Sequence, residues 1–102
     1  MLLSKTAEND DWFKVLQTTK LSQTAVMNLA PGQASGDEAE AHEKSDQVLY
    51  VIEGEVTAAI GGETGILRAG EAVTIPAGVK HRFENETKAP VRTFNVYTPP
   101  AY

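Results

Sequence analysis

Two histidines, His42 and His81, are the side chains of this 102-residue chain best suited to proton transfer near neutral pH or to metal ligation through nitrogen. His81 lies in the run Gly70-Glu-Ala-Val-Thr-Ile-Pro76-Ala-Gly78-Val-Lys-His81-Arg-Phe-Glu-Asn85. In extended backbone successive side chains leave opposite faces, so His81, Phe83 and Asn85 share one face and Arg82 and Glu84 the other. A histidine beside a phenylalanine serves either as a hydrogen-bonded core residue or as a ligand lining a cavity. His42 lies in Glu38-Ala-Glu40-Ala-His42-Glu-Lys-Ser-Asp46-Gln47. Glu40 and His42 are two apart, which puts carboxylate and imidazole on one side of an extended segment; the plain alternative is a solvated loop. Gln47 opens the most apolar stretch of the chain, an odd place for a primary amide unless it meets a partner. With no cysteine, thiol catalysis, disulfide scaffolds and cysteine-based zinc sites are excluded.

These residues must be positioned by strands. Gly and Pro recur at short intervals (Pro31-Gly32, Gly36, Gly54, Gly61-Gly62, Gly65, Gly70, Pro76, Gly78, Pro90, Pro99-Pro100), and few windows between them can hold a long helix. The remaining segments alternate or are β-branched: Thr24 to Ala30, Gln47 to Glu53, Glu55 to Ile60, Gly65 to Arg68, Ala72 to Ile75, His81 to Asn85 and Val91 to Thr98. Short strands with frequent turns predict an all-β antiparallel sandwich or barrel. Gly61-Gly62 predicts a tight hairpin after Glu55–Ile60, because both glycines tolerate positive φ. Residues 10–18 read as an N-terminal edge strand, with Trp12, Phe13, Val15 and Leu16 covering one end of the barrel. Gly32 to Lys44 is a polar loop, or a strand aimed at a cavity. If Gln47 points inward, Leu49 and Val51 follow it and Val48, Tyr50 and Ile52 face out. Both faces of that strand are then apolar, which calls for a cover on each side and makes a homodimer the expectation. The terminal run Tyr97-Thr-Pro-Pro-Ala-Tyr102 is expected to lie across the neighbouring copy.

Length allows one domain, residues 1–102, with 1–23 as an N-terminal edge segment and 24–102 as the barrel. Net charge is −5, from 9 basic against 14 acidic residues. No Lys or Arg run is present, which argues against nucleic acid or an anionic membrane as partner. The longest uncharged apolar stretch, Val48 to Ile52, is far short of the roughly 20 residues needed to span a bilayer. Glu8, Asp10 and Asp11 interrupt the N-terminus before a signal-peptide core can develop, so the expected location is cytoplasmic. Asn85-Glu86-Thr87 matches a glycosylation sequon and is read as chance.

The same residues resemble the cupins, which carry two motifs. The second is G, five residues, P-x-G, two residues, H, three residues, N. Gly70, Pro76, Gly78, His81 and Asn85 meet it at each fixed position. The first is G, five residues, H-x-H, three or four residues, E, six residues, G. Six residues separate Gln47 from Gly54, which puts Gln47 where the family has Glu; counting back four places His42 at the second histidine and Glu40 at the first. The competing register, with Lys44 as second histidine, leaves too few residues before Gln47. The leading Gly is replaced by Ala34, with Gly36 two positions away. This variant looks like a branch of small single-domain cupins labelled mannose-6-phosphate isomerase-like, echoed by Phe13-Lys-Val15-Leu16, Ser22-Gln23, Val26-Met27 and Val96 to Pro100.

The resemblance implies a double-stranded β-helix, or jelly-roll barrel, with both motifs lining one cavity. It places Glu40, His42, Gln47 and His81 at the family's four metal-ligand positions. Such a nitrogen and oxygen set suits a divalent transition metal: Mn, Fe, Ni or Zn. Met27, Phe83 and Phe94 are the expected apolar wall residues. The functional expectation is a small-molecule-binding cupin with a divalent metal in the barrel. The alternatives are a ligand-binding or sensing module without turnover, a metal-free structural dimer, and a metal-dependent isomerase or dioxygenase acting on a small, sugar-like substrate. Tyr50, Lys44 and Glu43 are available as a general base, with no role assigned.

Overall fold

The computed structural model describes all 102 residues, and eight strands account for nearly all of the regular structure. They are β1 (Phe13–Thr18), β2 (Gln23–Leu29), β3 (Asp46–Glu53), β4 (Glu55–Ile60), β5 (Glu63–Arg68), β6 (Ala72–Ile75), β7 (His81–Glu84) and β8 (Val91–Thr98), preceded by one short 3₁₀ turn at Thr6–Glu8. They form two antiparallel sheets, one ordered β1-β2-β8-β3-β6 and one ordered β5-β4-β7. No helix is long and apolar enough to cross a membrane.

The expected hairpin is present. Gly61 and Gly62 take φ of 58° and 97°, and Ile60 pairs with Glu63 across the turn. The segment from Gly32 to Lys44 combines both readings of it. It is irregular, yet it runs along β7 through isolated bridges, Ala34 to Glu84 and Glu40 to His81. Glu40 and His81 exchange both backbone hydrogen bonds, at 3.0 and 2.8 Å. The loop is thus held against the strand that carries the second histidine.

Alternation holds along the strands that matter. On β3, Gln47, Leu49 and Val51 are buried and Val48, Tyr50 and Ile52 are exposed; on β7, His81 and Phe83 point inward. Met27, Leu29, Leu49, Val51, Val56, Ala58, Ile75, Phe83 and Val91 form the apolar core between the sheets. Phe94 corrects one expectation. It sits on the outer face of β8, opposite Tyr50 on β3 and Val26 on β2, while Thr93, Asn95 and Tyr97 take the inward positions. The physical reason is that this stretch of the interior is polar and the exterior apolar, so hydrophobicity points the wrong way.

Two motif residues have plain structural duties. Asn85 is fully buried; its Nδ2 donates to the carbonyls of Leu29 (3.0 Å) and Ala89 (2.7 Å), and its Oδ1 accepts from the Thr87 amide and hydroxyl. Gly54 turns the chain from the large sheet into the small one at φ +84°, and a Cβ there would lie 2.5 Å from the Pro90 carbonyl oxygen.

Candidate functional site

A cavity of about 180 Å³ opens between the sheets, lined by Trp12, Phe13, Met27, Ser35, Glu38, Glu40, His42, Gln47, His81, Phe83, Tyr97 and Tyr102. Each wall follows from the local fold. β7 projects His81 and Phe83 inward, β3 presents Gln47, β8 presents Tyr97, and the loop bridged to β7 brings Glu40 and His42 to the rim. The backbone amide of Gly78 donates to the His42 carbonyl at 2.8 Å, tying the turn of the second motif to the loop of the first. Lys44 is exposed, in keeping with the chosen register.

The four residues named from sequence therefore line one cavity, at different depths. Gln47 and His81 are buried, 3% and 7% exposed. His42 is half-buried, its ring centroid 5.2 Å from that of His81, and Glu40 is exposed at the rim. No three His, Asp or Glu side chains are drawn tightly enough together to chelate an ion in this arrangement. The donor chemistry nevertheless fits a cation. His81 Nδ1 lies 3.0 Å from the Val79 carbonyl oxygen, which can only accept, so Nδ1 donates there and the neutral tautomer this bond selects carries its lone pair on Nε2. Gln47 Oε1 is buried with no hydrogen-bond partner, an arrangement that costs free energy unless a ligand meets it.

His42 has its pKa lowered, chiefly by burial and then by the charge His81 would carry. Glu40 and the neighbouring amide of Gln47 oppose this without reversing it, and Gln47 Oε1 makes no hydrogen bond of acceptable geometry. The imidazole is thus held in the neutral form that ligates metals.

Sequence reasoning missed the aromatic mouth. Tyr97 and Tyr102 stack edge-on against His42 at 5.1 and 5.4 Å, and Phe13 packs on Tyr102 at 4.7 Å. The segment from Thr98 to Tyr102 folds back over its own barrel. The buried amide of Gln23 holds it there. Its Oε1 accepts from the Ala101 and Tyr102 amides at 3.1 and 2.9 Å, and its Nε2 donates to the Tyr102 carbonyl at 2.8 Å. The available signal was parity, since Tyr97 shares the inward phase of Val91.

Burial raises the Tyr97 pKa, and the nearby Tyr102 phenol raises it further. Burial is also the main cause raising Tyr102, with Glu40 adding to it and Tyr97 opposing it. A phenol whose folded pKa exceeds its unfolded value contributes stability below the unfolded value of about 10 and loses it as pH rises through the folded value. In an absorbance titration of chelator-treated protein above about pH 10, fewer than the three tyrosinates of the chain should appear until it unfolds. Three tyrosinates in a protein with native circular dichroism would overturn this.

The chain's relationships agree with the geometry. Residues 25–97 match the family model described as "Cupin domain". The chain belongs to the cupin family. Among structures, this cupin superposes on BH2720 from Bacillus halodurans with TM-score 0.88 and 27% identity, over 95% of this chain and 76% of that one. It superposes on TT1209 from Thermus thermophilus with TM-score 0.85 and 28% identity, over 97% and 98%. In sequence it is 36% identical over 66 residues to the tetracenomycin polyketide synthase protein TcmJ of Streptomyces glaucescens, covering 65% of this cupin and 43% of that protein. This cupin thus spans less than half the length of that relative.

Proposed function

We propose that this cupin binds a small molecule at a divalent first-row metal held by His42, His81, Gln47 and Glu40. One observation carries the reading: the buried, unpartnered Oε1 of Gln47 in the cavity that two imidazoles also line, one of them oriented by the Val79 carbonyl. When bound, the ion would polarise an oxygen of the ligand. The chain's own residues do the rest. Phe83, Met27, Phe13 and Trp12 offer apolar contact and exclude water, and Tyr102 closes part of the mouth. A volume of about 180 Å³ lies below the roughly 300–1,000 Å³ of drug-sized pockets, so with Tyr102 in place the ligand is small. The polyketide synthase name of the Streptomyces relative supports a small organic ligand. A cytoplasmic setting is part of this proposal.

A binding or sensing role without turnover is the second reading. It is favoured by how few candidate bases the cavity offers: apart from the donor set, its ionisable groups are the exposed Glu38 carboxylate and the phenols of Tyr97 and Tyr102, whose pKa values are raised. The deciding experiment for the metal is elemental analysis of protein purified without chelator or added metal. About one equivalent of a first-row metal is expected, and metal-free protein that also ignores added Mn(II), Fe(II), Ni(II) and Zn(II) would defeat the proposal.

We also propose that the outer face of the large sheet is covered by a second copy of this chain. Val48, Tyr50 and Ile52 are 38%, 43% and 37% exposed on β3, next to the central strand β8, where they adjoin Phe94 and Val96. An apolar patch carried by two identical chains can be buried against itself about a two-fold axis. Light scattering should give twice the 11.0 kDa chain mass, and Tyr50→Glu should return it to one. A wild-type monomer at micromolar concentration would overturn this.

A further inference from the structure

Behind Gln47 the barrel interior holds a row of buried polar side chains that neither motif explains. Thr93 and Asn95 on β8 are fully buried, and Asn95 lies opposite Leu49, the next inward position along β3 from Gln47. Their hydrogen bonds have a forced direction. The Met27 carbonyl can only accept, so the Thr93 hydroxyl, 2.8 Å away, spends its one proton there. Toward Asn95 it then presents a lone pair, which accepts from Asn95 Nδ2 at 3.1 Å. That turns Asn95 Oδ1 toward Gln47, where it accepts from Gln47 Nε2 at 2.9 Å. Gln47 Oε1 is what remains, buried and without a partner. Each amide orientation is dictated by the step before it, starting from a backbone carbonyl that cannot reverse.

We infer that Asn95, anchored by Thr93, is a positioning residue that locks the Gln47 amide with its oxygen toward the two histidines, making this end of the cavity accept only a Lewis acid or a hydrogen-bond donor. The inference deepens the metal proposal and rests on it for the identity of the acceptor's partner. It also accounts for glutamine where the family carries glutamate. A carboxylate at position 47 would face Asn95 Oδ1 lone pair to lone pair. Turning Asn95 over would relieve that clash, but its oxygen would then confront Thr93 Oγ1 and pull that proton off the Met27 carbonyl. The amide is the group that this row can hold.

The test uses calorimetric titration with Mn(II), Ni(II) and Zn(II), alongside hydrogen exchange of the Gln47 side-chain amide by NMR in metal-free protein. Asn95→Leu removes the acceptor while keeping the same number and branching of heavy atoms and should weaken metal binding about 10- to 100-fold, the usual effect of losing a partner that orients a ligand. Thr93→Val should weaken it in the same direction. Asn95→Asp should bind metal more tightly than Asn95→Leu, because its carboxyl still presents an oxygen to Gln47 Nε2, although its second oxygen donates to Thr93 Oγ1 only when protonated. A merely structural role would lower the stability of all three variants and leave affinity per folded molecule unchanged, which would overturn the inference. If wild type binds none of the metals, the metal proposal fails by itself. The NMR arm then decides the rest: a Gln47 amide protected in wild type and exposed to exchange in Asn95→Leu upholds the positioning, and one that exchanges freely in wild type refutes it.

Discussion

Replacing Gly54 with alanine is expected to cost this barrel roughly 2–5 kcal/mol, combining about 1–2 for a side chain at positive φ with about 1–3 for overpacking. The added Cβ would lie 2.5 Å from the Pro90 carbonyl oxygen and 3.2 Å from the Val91 Cα, both backbone atoms of a segment leading into the central strand β8. Neither can swing aside as a side-chain tip would. Gly62 provides the control, since it sits at φ +97° and a Cβ added there would meet nothing within 4 Å, so Gly62→Ala suffers the conformational strain alone. Thermal unfolding of the two variants separates the contributions. Asparagine, which tolerates positive φ better than alanine, should relieve the strain at Gly62 and rescue little at Gly54. Equal losses at both positions would show that the approach to Pro90 is soft.

His42→Ala and His81→Ala should each weaken metal binding by more than about 100-fold, beyond the 10- to 100-fold typical of losing a partner one shell further out. Their stability costs should differ. His42 is half-buried and stacked between aromatic rings at the mouth, so its truncation should leave the fold within about 1 kcal/mol of wild type. His81 is 7% exposed, and its loss strands the Val79 carbonyl, which should cost about 1–3 kcal/mol. His42→Ala is therefore the cleaner variant: metal lost, fold kept. Unchanged metal stoichiometry in both variants would defeat the metal assignment.

The architecture was legible wherever alternation and turn chemistry agree. Gly61-Gly62 marked its hairpin, and the phase set by Gln47 ordered the whole of β3, because each such signal is contained within a few residues. β8 resisted the same reading. Its inward side chains Thr93 and Asn95 are polar and its outward Phe94 and Val96 apolar, so the usual rule of apolar inside inverts along that strand. The aromatic mouth was hidden for a different reason. Gln23 reaches the 101–102 backbone across 78 and 79 positions of sequence, and no local pattern announces a contact of that span. Of the candidate site, the resemblance to the cupin motifs supplied the residues that share the cavity, but the depth of each depends on the path of an irregular loop. That path is set by the bridges to β7, and it leaves Glu40 at the rim with His81 deep inside.

The burial of Asn85 turns a chance match into a timing device. Asn85-Glu86-Thr87 satisfies the acceptor rule for N-linked sugar, yet both hydrogens of the Asn85 amide nitrogen are engaged by Leu29 and Ala89, and its oxygen by Thr87, in a fully enclosed position. A finished barrel cannot be a substrate for oligosaccharide transfer, and a chain already bearing the sugar cannot finish the barrel. Were the protein secreted by a eukaryotic host, each molecule would commit irreversibly to one fate or the other. The glycosylated fraction would count the chains on which transfer outran the docking of Asn85 against the end of β2.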